Sequence, residues 1–265
     1  MPAFDWFRLF PDASHRLAMN LRPGDAVGYW QDSDEAAETL AERRRWLVEH
    51  PERHLCLLPE GREEVREALA WIMKVLGRPE AAPEKAAVTL EPDWLVLSGD
   101  AKRAHPVLGG AVIFPSGWGL EEKIGRPLHE VHAPVPGLQQ ALGASISTFL
   151  SRVAPLAAWE RDNWGLAADP ALNHHPACRV KRLDASATLD TTWVRLERQF
   201  VTRLPVTQAI LFGIRVSHHR LDHLAALPGL VPRLRLALET MDETLAHYKG
   251  IAAAREGLAA QLALA

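Results

Sequence analysis

The sequence predicts a mixed α+β fold, an antiparallel sheet with covering helices. Residues 193–200 (WVRLERQF) alternate in character with period two, as a half-buried strand does, and after a turn at 202–205 the run 209–217 (AILFGIRVS) supplies a partner. Around this hairpin the chain runs as helices, two strands, helices, two strands, helices, an order that suits helices segregated about one antiparallel sheet. With 265 residues, 48% of them hydrophobic, a large core can be buried.

Taken in order, the first forty residues are irregular, broken by Pro2, Pro11, Pro23 and Gly24. Residues 33–50 read as a helix capped by Ser33 or Asp34, with acids in the first turn and arginines after them. A second helix covers 61–76 and gathers Val65, Leu69, Ile72, Met73 and Leu76 on one face. The Pro/Ala/Glu connector 78–84 marks a boundary, so the chain divides into an N-terminal helical extension (1–84), a core (85–225) and C-terminal helices (226–265). Residues 92–98 and 111–114 read as short strands, joined through a link in which Gly109-Gly110 is a turn. Residues 120–131 start helical and break at Gly125-Arg126-Pro127. A longer helix covers 138–158, and a compact block follows at 159–165. The tail reads as helices over 228–235 and 236–264.

Composition excludes several classes. A net charge of −3 with no basic stripe gives no footprint for nucleic acid. No run of about 18 apolar residues is present to span a membrane. The opening MPAFDWFRLF carries an early acid and lacks a signal-peptide core. Cys56 and Cys178 are too few for a disulfide framework, and a cytoplasmic, reducing compartment is expected. His218, His219 and His223 include an i,i+4 pair without a third ligand at suitable spacing, which argues against a metal site there. No phosphate-binding glycine fingerprint, nucleophile elbow or Cys/His dyad occurs.

The most informative stretch is 112–137, VIFPSGWGLEEKIGRPLHEVHAPVPG. There, prolines stiffen the turn after His132 and limit where its ring can lie. FPSGWGLEEKIGRPLHEVHAPVPG at 114–137, ERDNWG at 160–165 and VRLERQFVTRLPVTQAILFGIR at 194–215, with the looser WL at 46–47, together resemble the haem subunit of the haem-dependent oxidative N-demethylases, or dimethylamine monooxygenases. The histidine-rich VSHHRLDHLAAL after Arg215 and the short segment 165–193 depart from that pattern and leave the substrate open.

The resemblance implies a PAS-like sheet clasping one haem b, with helices between 120 and 158 over the cofactor. It implies a monooxygenase that takes a small secondary amine such as dimethylamine, and O2, and releases formaldehyde. Electrons would come from a reductase partner carrying flavin and an iron–sulfur centre, since two cysteines cannot hold a cluster that needs four. His132 is the expected axial ligand to the haem iron, with His129, three residues earlier, as second candidate.

Lys123, Arg126, Arg161 and Arg198 are the cations of the matching phrases, suited to propionates. Arg195, Glu197 and Gln199 share one strand face, while Leu196, Arg198 and Phe200 share the other. Taking the more apolar face as the inner one makes Arg198 the haem-side candidate, and the resemblance adds Lys123 and Arg161 as cofactor-binding cations. Trp118, Trp164 and Phe212 are candidate apolar walls, Glu197 or Asp162 the anion facing the amine, and Asn163 a donor. The competing readings are a haem PAS sensor without turnover and a haem-free scaffold.

Overall fold

A computed structural model describes residues 4–265, so Pro2 lies outside the described residues. The fold is α+β, as expected: one seven-stranded antiparallel sheet with helices on both faces. The strands are β1 (Arg22–Pro23), β2 (Leu55–Leu57), β3 (Asp93–Leu97), β4 (Val107–Ala111), β5 (Trp159–Ala167), β6 (Trp193–Arg203) and β7 (Ile210–Arg220), in the order β1-β5-β6-β7-β3-β4-β2. The segment before residue 84 is not purely helical, since it supplies both edge strands. Cys56 and Cys178 are free.

The hairpin of β6 and β7 forms as expected and runs longer, pairing Trp193 with Arg220 and Arg203 with Ile210. The sequence reading missed β5. Its residues Glu160, Arg161, Asp162 and Asn163 offer no apolar alternation, because ion pairs replace burial as the means of satisfying them. Arg22 reaches Glu160 at 3.2 Å and Asp162 at 2.9 Å, and Arg8 reaches Asp162 at 3.1 Å.

Residues 112–114 are not the expected strand, and Gly109-Gly110 is not a turn. The two glycines lie inside β4 because its neighbours approach too closely for side chains. A Cβ on Gly110 would stand 2.6 Å from the Trp94 carbonyl oxygen, and one on Gly109 2.9 Å from Val65 Cγ2. Gly110→Ala should therefore destabilise the protein by about 1–3 kcal/mol through overpacking. A thermal melt unchanged from wild type would contradict that close approach.

After Ala111 the chain leaves the ladder, and the Asp93 carboxylate accepts the freed Ile113 and Phe114 amides, each at 2.9 Å. Asp93 is paired in turn with buried Arg43 at 2.5 Å. Arg43 stands on the helix Ala36–Glu49, whose N-cap is Glu35 rather than Ser33 or Asp34. Ser33 is drawn instead to Glu91, with its hydroxyl 2.6 Å from Oε1.

The helix Leu138–Arg152 stops short of its expected end because Pro155 follows and the chain turns extended at Val153. The tail breaks into three helices, Val231–Glu239, Glu243–Tyr248 and Ala252–Leu262. Asp242 caps the second by accepting from the Leu245 amide at 3.1 Å, and Gly250 (φ +69°) ends it.

The sheet separates two environments. On one face Phe200 packs against Tyr29, Trp30 and Trp71, above the helices Arg62–Val75 and Pro83–Thr89. On the other, Val201 and Ile210 meet Leu120, Leu150 and Val153, with Trp118, Val131, Phe149, Trp159 and Phe212 packed alongside. The C-terminal helices bury their own cluster with Trp164, Leu166 and Val194.

Candidate functional site

Cross-strand register assembles the site. Arg161 lies opposite Gln199, Asn163 opposite Glu197, and Gly165 opposite Arg195, so Arg161, Asn163, Arg195, Glu197 and Gln199 project from one face. Glu197 is the hub. Asn163 Nδ2 donates to its Oε2 at 3.2 Å, Gln199 Nε2 donates to the same oxygen at 3.0 Å, and the Ser116 hydroxyl donates to Oε1. Ser116 itself accepts from Arg195 Nε at 2.7 Å, while Arg195 Nη2 donates to both the Phe114 and Pro115 carbonyls at 2.9 and 3.2 Å. Burial opposes the charge on Glu197, but the Ser116 hydroxyl, Arg195 and Asn163 outweigh it and keep its pKa below the usual carboxylate range. Glu197 is therefore an anion at neutral pH.

His132 ends the short helix Leu128–His132 and is partly buried. Burial, with the positive charges of Arg161 and Lys123 nearby, pushes its imidazole down to about 4, so the ring is neutral at pH 7. His129, one turn earlier, is exposed. Arg161 also senses Glu197, which links the His132 neighbourhood to the Glu197 network along the same sheet face. Its guanidinium bonds the Ala18 carbonyl at 3.5 Å, and its buried Nε has no hydrogen-bond partner among the described residues.

Of the residues expected from sequence, the structure brings Lys123, His132, Arg161, Asn163 and Glu197 to one side, with Trp118 and Phe212 in the apolar cluster beside them. Arg198 is not among them. It projects from the opposite face with Asp162 and pairs with Glu160 at 3.4 Å. Choosing the more apolar strand face selected the main core instead, since Phe200 on that face packs among buried aromatic rings. Trp164 and Asp162 also turn away. Trp164 packs on Phe10 at 4.9 Å, and Asp162 is held by Arg8 and Arg22.

The i,i+4 histidines do not share a helix: His218 and His219 are in β7, while His223 is exposed on the next helix. Among the described residues no three candidate metal-ligating side chains cluster. The sequence reading did not assign Ser116, Gln199 or Lys249 to the site. Alternation in β6 already put Gln199 beside Glu197. The Lys-Gly pair 249–250 carries a helix-end signal that could have located Lys249.

The scan of known families matches residues 77–259 of this chain to the model described as haem-dependent oxidative N-demethylase, alpha subunit-like.

Proposed function

The chain belongs to the haem-dependent oxidative N-demethylase alpha-subunit-like family, and from that premise we propose that it is the haem-bearing component of a monooxygenase that demethylates a small secondary amine such as dimethylamine. The observation that carries this reading is the meeting, on one sheet face, of a neutral histidine with two cations and a fixed carboxylate.

The residues fit an iron porphyrin. An iron ligand must be an unprotonated imidazole, which His132 is at neutral pH. Propionates ask for cations, and Lys123 and Arg161 flank His132, Arg161 with an orphaned Nε. A flat ring asks for apolar walls, offered by Val131, Phe149, Trp159 and Phe212. The PAS-like reading is supported by the helices Leu128–His132 and Leu138–Arg152, inserted between β4 and β5 and packed on the His132 side of the sheet. When bound, haem b supplies oxygen activation and oxidation of the N-methyl carbon, after which the carbinolamine collapses to formaldehyde and the demethylated amine.

The protein's own residues bind and orient the amine. Glu197 offers a carboxylate to its N–H, and Ser116, Asn163 and Gln199 hold that carboxylate in one orientation. Trp118 and Phe212 supply the apolar surface that matches the methyl groups and excludes water. Electrons come from a reductase partner carrying flavin and an iron–sulfur centre, in keeping with an alpha subunit of a multi-component system.

The test is formaldehyde release from dimethylamine by haem-loaded protein with its reductase, O2 and NAD(P)H. Turnover by the isolated chain with NAD(P)H alone would contradict the need for a partner. A Soret band without formaldehyde would favour a sensor. Glu197→Gln should lower kcat/KM for the amine about 10- to 100-fold, the size of a lost hydrogen bond to a charged group. Unaltered kcat/KM in this variant would remove Glu197 from substrate binding.

A further inference from the structure

The C-terminal helices send one side chain into the Glu197 network. Lys249 follows the helix Glu243–Tyr248, where Gly250 (φ +69°) reverses the chain and the Ile251 amide donates back to the Ala246 carbonyl at 2.9 Å. Ile251 is fully buried in the C-terminal cluster, so the point from which Lys249 extends is fixed. β1 pairs only with Trp159 and Glu160, which leaves the rest of that side of β5 without a neighbouring strand among the described residues. Lys249 fills this edge. Its Nζ donates to the Trp164 carbonyl at 2.5 Å and to Asn163 Oδ1 at 3.4 Å.

The hydrogen-bond chemistry makes this arrangement directional. An ammonium can only donate and an ionised carboxylate can only accept. Asn163 stands between them with Oδ1 toward Lys249 and Nδ2 toward Glu197. Reversing the amide would set NH2 against NH3+ and oxygen against oxygen, losing both bonds. Burial, together with the positive charge of Arg161, draws the Lys249 ammonium down to about 8, and the charge of Glu197 opposes that shift. A carboxylate withdrawn from water needs a partner of opposite charge nearby, and Lys249 joins Arg195 in that role.

We propose that Lys249 is a positioning residue that locks the Asn163 amide and counter-charges Glu197, so that the amine meets a carboxylate held in one orientation. The link to the amine rests on the function proposed above, whereas the coupling of Lys249 to Glu197 does not. The test is a double-mutant cycle on the full-length protein, with Lys249→Met, Glu197→Gln and the double variant unfolded in urea. Lys249→Met should lower the folding equilibrium constant at least about fivefold more in the wild-type background than in the Glu197→Gln background. Lys249→Gln, which keeps a donor for the Trp164 carbonyl, serves if the methionine variant does not fold.

In the haem-loaded enzyme, Lys249→Met should keep the Soret band and lower kcat/KM for dimethylamine about tenfold or more, with Lys249→Arg restoring most of the loss. An additive cycle, or full activity in Lys249→Met, would overturn the assignment. A coupled cycle in a protein that neither holds haem nor releases formaldehyde would uphold Lys249 as the partner of Glu197 and reject the oxygenase reading alone.

Discussion

Replacing His132 by alanine is expected to abolish haem binding, read as loss of the Soret band in protein purified from haem-supplied cells. The stiff HAPVPG turn follows this residue, and burial with two flanking cations keeps its ring unprotonated and free to donate a lone pair to iron. The same substitution should erase the thermal stabilisation that added haem gives the wild type. For a ligand at 100 times its Kd that stabilisation is about 2.7 kcal/mol. His129→Ala is the control. The His129 side chain is exposed, and its loss should leave the spectrum intact. A Soret band that survives His132→Ala but not His129→Ala would exchange the two assignments, and one that survives both would remove this helix from iron ligation.

The second large effect is structural and lies at Asp93. Arg43 is wholly buried and bonds the Ala87 carbonyl at 3.0 Å and the Glu91 carbonyl at 3.2 Å besides its ion pair with Asp93. Asp93→Ala leaves that guanidinium without its counter-charge and two buried amides without their acceptor. Breaking one side of such a pair costs about 3–5 kcal/mol. For a chain of this size, that lowers Tm by roughly 6–20 °C. The loss should reach the site as well. Ile113 and Phe114 immediately precede Pro115 and Ser116, and Ser116 joins Arg195 to Glu197. A melt within about 1 kcal/mol of wild type, the range of a surface ion pair, would mean that the buried pair contributes little to stability.

The parts of this fold legible from sequence are those in which side-chain character tracks burial. The β6–β7 hairpin and the helix Arg62–Val75 follow their apolar periods, and four of the five apolar positions expected on that helix are buried, Leu76 being the partly exposed one. Where polar groups are satisfied by partners distant in sequence, periodicity is silent. β5 depends on Arg8 and Arg22, and residues 112–114 give up a strand because the Asp93 carboxylate replaces the ladder. Gly109-Gly110 misled for a related reason. Glycine marks close approach of chains as well as turns, and only the packed neighbours distinguish the two.

The site divides in the same way. Lys123, His132, Arg161, Asn163 and Glu197 were reachable through their phrases, and strand alternation correctly separated Glu197 from Arg198. Knowing which side of the sheet received the helices Leu128–His132 and Leu138–Arg152 required the third dimension. The apolar-face rule finds the large apolar core, whereas the network of Arg161, Asn163, Arg195, Glu197 and Gln199 sits on the more polar face of β5 and β6.

Lys249 lies 86 positions after the asparagine it touches, so the Glu197 network is closed by a part of the chain made well after β5 and β6. While the polypeptide is still emerging from the ribosome, β5 and β6 can pair, but Glu197 must wait for this lysine. Until the helices beside Lys249 dock, water has to solvate the carboxylate. The surroundings of this carboxylate are thus completed only after synthesis has passed Lys249 and the helices on either side of it have folded onto β5.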